Sequence, residues 1–330
     1  ATGSGGEIRD RMAGGKGSMP IAGTAVYMTS YPRTANDRMW ETENEPRPWL
    51  YQTPEEILIK ASNGASDFGN KFGQPLICGS VLTFEHTENN KQYGYDKVIM
   101  QAGGIGYGRR SDSLKGHPQP GDNVIVMGGD NYRIGMGGGA VSSVATGEYH
   151  SGIELNAIQR SNPEMQKRVY NAIRAMAESA ENPIVSVHDH GAGGHLNSLS
   201  ELVEEQGGSI DLGKLPVGDP TLSFKEIVGN ESQERMGLVL KASDAETLQR
   251  VAERERAPFY NVGKITGDMN FSFVHSKSGK APINMPLEYF FGKPPRTVMA
   301  DSTTESRFQQ PRYDKSNLLQ YIEQVLQLEA

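Results

Sequence analysis

Cysteine is nearly absent from this chain: Cys78 is the one cysteine among 330 residues. A single thiol cannot form an intramolecular disulfide, which fits a reduced compartment. The sequence contains no run of about 18 apolar residues, which argues against a membrane span. The net charge is −7 and no long basic run occurs, so the overall charge gives no nucleic-acid footprint. These absences predict a cytoplasmic protein that has neither a membrane nor a nucleic acid as partner.

An initiator methionine is also missing, and the first residues, ATGSGGEIRD, contain no apolar signal core. A natural start after processing and a chain cut from a longer polypeptide are both compatible with this. Glycine, in contrast, is abundant, with 39 residues that cluster instead of following a collagen period. Clustered glycine indicates backbone that closely approaches a ligand or another chain segment.

Hydrophobic periodicity and turn residues predict alternating strands and helices. The predicted strands are 25–29, 75–84, 97–101, 123–127, 183–187, 237–241, 260–265 and 271–274. The predicted helices are 54–64, with Thr53 and Glu56 as a capping box, 163–176 capped by Asn162, 194–203, 244–256 capped by Asp244, and 317–328. Residues 1–20, 30–51 and 103–120 are expected to be loops, with a polar turn at 86–95 and a linker at 291–313.

A composition shift near residue 118 places a domain boundary there. The second half alternates strands and helices and predicts an α/β sandwich. We expect an incomplete first domain over 1–118, a second domain over 119–290, and a linker with one further helix over 291–330.

The opening glycine-rich segment carries chemistry that suits phosphate. Its glycines let backbone N–H groups surround phosphate oxygens, and Arg9 can bind phosphate or carboxylate with two hydrogen bonds. Asp10 or Glu7 can hold Mg²⁺. The segment is not a Walker motif, because no Gly-Lys-Ser/Thr ends it. A flexible tail is the alternative, and composition does not decide between the two.

The run GMGGGA at 135–140 fits the dinucleotide pattern GxGxxA. In that motif the glycines follow their strand directly, whereas here Gly135 lies eight positions after Met127, the end of the predicted strand. Backbone packed closely against a ligand or a neighbouring strand is the favoured interpretation.

Three histidines surround Asp189: His188, His190 and His195. A zinc site is one interpretation, although no further ligands occur at a recognisable spacing. A strand that ends in an acid and continues into a glycine-rich helix start is more typical of a Mg²⁺–phosphate site. Histidines with ordinary hydrogen-bond partners are the third alternative.

Two polar stretches stay open at this point. The hexamer NESQER at 230–235 is either a solvated turn or a set of groups that bind a polar ligand, and Gln159 is similarly ambiguous. Cys78 has no nearby His/Asp pattern for nucleophilic catalysis, and we interpret it as a strand residue.

Taken together, these motifs resemble the large form of the formylglycinamide ribonucleotide amidotransferase family, also called phosphoribosylformylglycinamidine synthase. The matching segments, in family order, are TGSGGEIRD at 2–10, GGIG at 103–106, GMGGGA at 135–140, IQRSNPEM at 158–165, HDHGAGG at 188–194, NESQERM at 230–236, RERAP at 254–258 and GKPP at 292–295. The resemblance covers nearly the whole chain. It implies the fold of aminoimidazole ribonucleotide synthetase: an α/β domain whose strands help to build a barrel, followed by an α/β sandwich.

The resemblance also implies a reaction and its site. ATP phosphorylates the amide oxygen of formylglycinamide ribonucleotide, and ammonia from glutamine displaces the phosphate to give the amidine, with Mg²⁺ required. The implied residues are, for ATP, Ala1, Thr2, Gly3, Ser4, Gly5, Gly6, Glu7, Ile8, Arg9, Asp10, Cys78, Gly79 and Ser80; for the substrate, Arg9, Gln159, Glu231, Ser232 and Gln233; and for Mg²⁺, Asp10 and Asp189.

The chain departs from the family pattern in what it lacks. The family's catalytic histidine lies in a His-Asn-His-Pro motif upstream of the glycine-rich segment, and no such motif occurs here. The glutaminase domain and the second synthetase pair are also missing, so we expect the isolated fragment to be inactive and the rest of the same polypeptide to be its partner. An exposed sheet edge would allow a homodimer. The alternatives are a nucleotide-binding module without chemistry, and a metallohydrolase that uses His188, His190 and His195.

Overall fold

The computed structural model describes residues 1–34, 38–48, 52–95, 97–145, 147–159, 161–231, 234–293, 295–302 and 310–327. The helices are α1 (Thr2–Met12), α2 (Pro54–Phe72), α3 (Gly138–Ser142), α4 (Ser151–Asn156), α5 (Pro163–Ala177), α6 (Gly194–Leu202), α7 (Phe224–Gly229), α8 (Ala245–Glu255), α9 (Glu288–Phe291) and α10 (Leu318–Gln327). The strands are β1 (Met19–Thr29), β2 (Leu76–Thr83), β3 (Glu85–Glu88), β4 (Lys91–Gly94), β5 (Ile99–Tyr107), β6 (Asn123–Gly128), β7 (Ile184–Asp189), β8 (Gly208–Asp211), β9 (Arg235–Leu240), β10 (Phe259–Ile265), β11 (Asn270–His275) and β12 (Lys280–Pro286). None of the helices in the described ranges is long and apolar enough to cross a membrane.

A three-stranded sheet forms in the first third of the chain, in the order β2–β1–β5. Strand β1 runs parallel to β2 and antiparallel to β5. Helices α1 and α2 pack against this sheet and against each other. A separate hairpin joins β3 to β4.

A seven-stranded sheet forms the rest of the fold, in the order β12–β11–β8–β10–β6–β9–β7. All six residues of β6 are buried. Because side chains alternate between the two faces of a strand, Val124 and Val126 join one core while Ile125 and Met127 join the other. Strand β6 is therefore the centre of a two-sided sandwich.

The two cores differ in the helices that cover them. Helices α5 and α8 cover one face of the large sheet, and α6 and α7 cover the other. The first core also contains Ile8 and Met12 of α1 and Phe68 and Phe72 of α2. This core thus joins the N-terminal helices to the sandwich and fixes α1 beside β7, with which it is in contact. The mixed α/β class predicted from the sequence is confirmed, and the domain boundaries at 118 and 290 stay predictions.

The prediction of a loop over residues 1–20 is wrong. This region forms α1 and the start of β1, and Ile8 and Met12, four residues apart, are fully buried on one face of the helix. Two of the glycines provide close contact between elements. A Cβ atom on Gly3 would lie 2.7 Å from Sδ of Met100, and one on Gly5 would lie 2.8 Å from Cζ of Phe68.

The predicted start of α2 is correct and its predicted end is wrong. Thr53 and Glu56 form the expected capping box. The helix continues past Gly64, whose Cβ atom would lie 2.9 Å from the backbone nitrogen of Ala1, and ends at Gly73 with φ +89°. Gly64 therefore permits close approach of α1, and Gly73 is the residue that takes the left-handed conformation.

Other differences concern strands that the sequence pattern hides. Strand β5 continues to Tyr107 inside the predicted loop 103–120, and the predicted turn 86–95 contains the β3–β4 hairpin. Strands β8 and β12 and helix α7 were not predicted. The Asn162 cap of α5 is confirmed by a hydrogen bond from the backbone N–H of Met165, whereas Asp244 precedes α8 without a side-chain cap bond.

Candidate functional site

Two carboxylates meet where α1 approaches the end of β7. Asp10 lies in the last turn of α1 and Asp189 is the last residue of β7, and the two carboxyl groups are close enough to interact electrostatically. The pKa of Asp10 is raised, first by burial and then by the charge of Asp189. The negative charge of Asp189 thus disfavours ionisation of Asp10, and a bound cation would relieve that cost. The structure thus brings together the two predicted Mg²⁺ ligands.

Arg9 lies buried beside the acid pair and is 2% exposed. Its Nη1 donates to Oε1 of Gln166 on α5 at 3.0 Å. Burial lowers the pKa of Arg9 to about 10, although nearby Asp189, Glu234 and Asp10 partly offset that shift. The guanidinium therefore stays charged at neutral pH and compensates the negative charge of the pair.

Glu231 organises a second cluster at the far end of the turn that follows Asp189. Its Oε1 accepts from the backbone N–H of Gly193 at 3.2 Å, and its Oε2 accepts from Nε2 of Gln159 at 3.3 Å. Glu231 is 4% exposed. Two predicted substrate residues are therefore in contact, and the short turn 190–193 connects them to the acid pair. The other two, Ser232 and Gln233, lie outside the described residues.

The glycine run 135–140 packs on this second cluster. The backbone N–H of Glu231 donates to the carbonyl of Gly135 at 2.8 Å, and Met136 forms an isolated bridge with Asn230. A Cβ atom on Gly138 would lie 2.7 Å from Oε2 of Glu231. This geometry agrees with the close-packing interpretation and not with a dinucleotide turn that joins a strand directly to a helix.

The histidines of the predicted zinc site bond to protein groups. His190 and His195 are fully buried, and Nε2 of His190 lies 3.0 Å from Nδ1 of His195. Arg235 Nη1 donates to Nε2 of His195 at 2.8 Å, and Nδ2 of Asn131 lies 3.2 Å from the same atom. Nδ1 of His190 lies 3.2 Å from Oγ of Ser198. All four ring nitrogens are therefore occupied.

The direction of the hydrogen bonds in this chain follows from Arg235, which can only donate. Nε2 of His195 must accept, so its Nδ1 carries the proton and donates to Nε2 of His190; Nδ1 of His190 then donates to Ser198. Burial, followed by the charge of Arg235, lowers the pKa of both histidines well below the usual value. Both rings are neutral hydrogen-bond links under the site.

His188 makes other contacts and does not complete a metal site with these two rings. Its Nε2 bonds to the carboxylate of Glu201, and its Nδ1 lies 2.7 Å from the carbonyl of Asp189. In the part of the chain that the structure describes, no group of three or more His, Cys, Asp or Glu residues could hold a metal ion. The zinc interpretation is therefore wrong, because the three rings do not converge on a common point.

The residues predicted to bind ATP fall into a buried group and an accessible group. Ser4, Gly5, Glu7, Ile8 and Arg9 are buried within α1 or against its neighbours. The accessible members of the segment are Ala1, Thr2, Gly3, Gly6 and Asp10. Cys78, Gly79 and Ser80 lie on β2, where Cys78 and Gly79 are exposed, and β2 packs on β1 and α2.

Gln166, Arg235 and Asn230 support the site and were not singled out individually by the sequence. Nε2 of Gln166 donates to the carbonyl of Gly5 while its Oε1 holds Arg9. Arg235 Nη2 donates to Oδ1 of Asn230 at 2.8 Å, which fixes the residue before Glu231. A signal existed for Gln166: it lies three and seven residues before Val169 and Ile173 and so shares the apolar face of α5.

Comparison with known proteins gives consistent results along the chain. Residues 119–276 match the family described as AIR synthase related protein, C-terminal domain. The chain is 41% identical over 307 residues to phosphoribosylformylglycinamidine synthase of Dictyostelium discoideum. The aligned segment covers 91% of this chain and 23% of that protein. The Homo sapiens protein of the same name is 39% identical over 314 residues, with 89% and 24% covered. The chain thus spans less than a quarter of the length of these relatives.

Solved structures show the same fold. T. maritima PurL complexed with FGAR has a TM-score of 0.71 at 22% identity, covering 98% of this chain and 48% of that chain. T. maritima PurL complexed with ATP has a TM-score of 0.64 at 20% identity, covering 98% and 46%.

Proposed function

We propose that this chain, which belongs to the phosphoribosylformylglycinamidine synthase family and matches one segment of its members, forms the ATP- and Mg²⁺-binding part of that ligase. In the proposed reaction, ATP phosphorylates the amide oxygen of formylglycinamide ribonucleotide, and ammonia derived from glutamine displaces the phosphate. The observation that carries the proposal is the proximity of Asp10 to Asp189, which lie far apart in the sequence and come together where α1 approaches the end of β7. A cytoplasmic location and the remaining segments of a longer polypeptide as partners belong to the same proposal.

The acid pair fits Mg²⁺ by the chemistry of its donors. Mg²⁺ is usually held by one or two carboxylates together with waters and substrate phosphates, and Asp10 and Asp189 supply that number. When bound, the ion supplies positive charge that neutralises phosphate oxygens. The charge of Arg9, which is held by Gln166, partly offsets the rise in the pKa of Asp10. Asp10 is accessible, so the pair can face a nucleotide from outside.

The second cluster is the proposed place of the formylglycinamide ribonucleotide. Gln159 and Glu231 offer an amide and a carboxylate, the groups that recognise amide and hydroxyl functions by paired hydrogen bonds. Ser232 and Gln233 extend this set in sequence, and Arg9, the remaining proposed substrate residue, lies beside the acid pair. PurL of T. maritima, which was solved in complexes with FGAR and with ATP, shares the fold and supports the assignment of both ligands.

Isothermal titration tests both halves of the site. Mg·ATP is titrated into the chain and into the variants Asp10→Asn and Asp189→Asn, with the exposed Asp301→Asn as matched control. We expect the two site variants to weaken Mg·ATP binding on the order of tenfold or more, because each removes a cation ligand, and the control to bind as the parent does. Equal affinity in all four proteins would overturn the metal assignment.

Formylglycinamide ribonucleotide is titrated separately into Gln159→Leu and Glu231→Gln. Both variants should lose affinity for the substrate and keep their affinity for Mg·ATP, because the two clusters lie at opposite ends of the turn. A coupled assay with substrate and ammonium then separates a ligase from a module that binds nucleotide without turnover.

A further inference from the structure

Two glycines face each other across the three-stranded sheet. Gly23 of β1 and Gly104 of β5 are partners in the antiparallel register. A Cβ atom on Gly23 would lie 2.7 Å from Nε2 of Gln74 and 2.9 Å from Oε1 of Glu7. One on Gly104 would lie 2.4 Å from the carbonyl oxygen of Ala22 and 2.6 Å from Cζ of Arg11. Any other residue at either position would collide with these groups. The pair leaves a notch in the sheet directly under α1.

Glu7, Arg11 and Gln74 occupy this notch and bond to one another in a closed ring. Nε2 of Gln74 donates to Oε1 of Glu7 at 2.8 Å, and Nε of Arg11 donates to Oε2 of Glu7 at 2.7 Å. Nη2 of Arg11 donates to Oε1 of Gln74 at 2.5 Å. Nη1 of Arg11 also donates to the carbonyls of Ala22 on β1 and Ile105 on β5. The Arg11 side chain thus connects α1 to β1, to β5 and to the segment that precedes β2.

Asp10 stands between two arginines that are anchored on different sides of α1. Arg9 is held by Gln166 of α5, and Arg11 is held in the glycine notch. A rotation of α1 about its axis would have to break one of these two sets of bonds. The orientation of α1 about its axis is therefore fixed from both sides, and with it the position of Asp10 close to Asp189.

We propose that Arg11, seated with Glu7 and Gln74 in the Gly23–Gly104 notch, is a positioning residue that sets Asp10 against Asp189. The inference rests on the proposed function of the acid pair as a divalent-cation site. It also assigns a structural role to the GGIG motif at 103–106, because Gly104 leaves room for the Arg11 side chain. Lysine cannot replace Arg11, because a single ammonium group does not reproduce the planar fork that reaches Glu7, Gln74 and two carbonyls together.

Mn²⁺ titration of Arg11→Lys and Gly104→Ala tests the proposal at a temperature where circular dichroism shows every variant fully folded. The matched control is Gly103→Ala in the same strand, whose Cβ atom would lie 3.5 Å from Oγ1 of Thr24, an ordinary contact. We expect Mn²⁺ affinity to fall on the order of tenfold in the two test variants, as it does when the supports of metal ligands are displaced, and to be unchanged in the control. Unchanged affinity in Arg11→Lys and Gly104→Ala would overturn the inference.

Amide hydrogen exchange gives a second readout that does not depend on the metal. Exchange along α1 should be faster in both test variants than in the parent, and unchanged in Gly103→Ala. If the parent chain binds no Mn²⁺, the proposed function fails, and exchange still decides the role of the notch: faster exchange supports it, and parent-like exchange in both test variants refutes it.

Discussion

Adjacent glycines of α1 should respond in opposite directions to the same substitution. A Cβ atom on Gly5 would lie 2.8 Å from Cζ of Phe68, with the two neighbouring ring carbons at 3.0 and 3.3 Å. A Cβ atom on Gly6 would meet only Nη2 of Arg9, at 3.8 Å. Gly5→Ala therefore forces α1 away from the buried ring, and Gly6→Ala adds a methyl group in ordinary contact.

The expected changes in unfolding free energy follow from two effects, helix propensity and core packing. Alanine in a helix interior is more stable than glycine by about 0.5–1 kcal/mol, which applies to both variants. Overpacking a well-filled core costs about 1–3 kcal/mol, which applies to Gly5→Ala alone because Phe68 is 2% exposed and cannot move aside freely. Gly6→Ala should thus gain about 0.5–1 kcal/mol of unfolding free energy, and Gly5→Ala should lose up to about 2.5 kcal/mol net.

Urea unfolding followed by circular dichroism measures both changes on the same day and the same preparation. A loss of stability in Gly5→Ala together with a gain in Gly6→Ala would support a packed helix over residues 2–12. Equal, near-zero effects would refute the reasoning, because that is the behaviour of a flexible glycine-rich loop in which neither Cβ atom meets a neighbour.

Three further substitutions test the supports of the site, each by urea unfolding. Arg235→Met should lower the unfolding free energy by about 1–3 kcal/mol, because His195 loses a buried charged donor. A change near zero would contradict the hydrogen bond from Arg235 to His195. Gln166→Leu should cost about 1.5–3 kcal/mol, because buried Arg9 loses an acceptor, and parent-like stability would show that this bond is not formed in solution. Asn162→Ala should cost about 1 kcal/mol by removing the cap of α5, whereas Asn162→Asp should retain most of it.

Local signals in the sequence predicted the elements whose ends are marked by caps. The capping box at Thr53 and Glu56 and the Asn162 cap were read correctly, because both depend on residues three positions apart. The end of α2 was not, since Gly64 and Gly73 look alike in sequence and differ in what surrounds them. Only the fold shows that Gly64 admits the N-terminus of α1 while Gly73 adopts positive φ.

The glycine-rich segment at the start of the chain was wrongly predicted to be a loop, because the residues that surround its glycines are not visible in the local sequence. The spacing of Ile8 and Met12 was a helical signal, but glycine is a poor helix former, and the partners Met100 and Phe68 that require glycine lie far along the chain. Likewise, a spacing of two residues would put His188 and His190 on one face of a strand, but β7 ends at Asp189, so the two rings bond to different partners.

The residue pattern indicated Asp10 and Asp189 separately as candidate Mg²⁺ ligands, and the resemblance assigned both to one site. Nothing in the local pattern joins Asp10 to Asp189 or Gln159 to Glu231, because those contacts depend on how α1 and the turn after β7 pack together. The glycine notch was also outside the reach of sequence reasoning, since the facing of Gly23 and Gly104 follows from strand register.

Anomalous diffraction from crystals of this chain grown with Mn²⁺ and a non-hydrolysable ATP analogue tests the central claim most directly. The account predicts an anomalous peak within about 2.0–2.6 Å of carboxylate oxygens of both Asp10 and Asp189, with the analogue's phosphates completing the coordination. A peak bound to the histidines, or nucleotide density with no metal between the two aspartates, would contradict it.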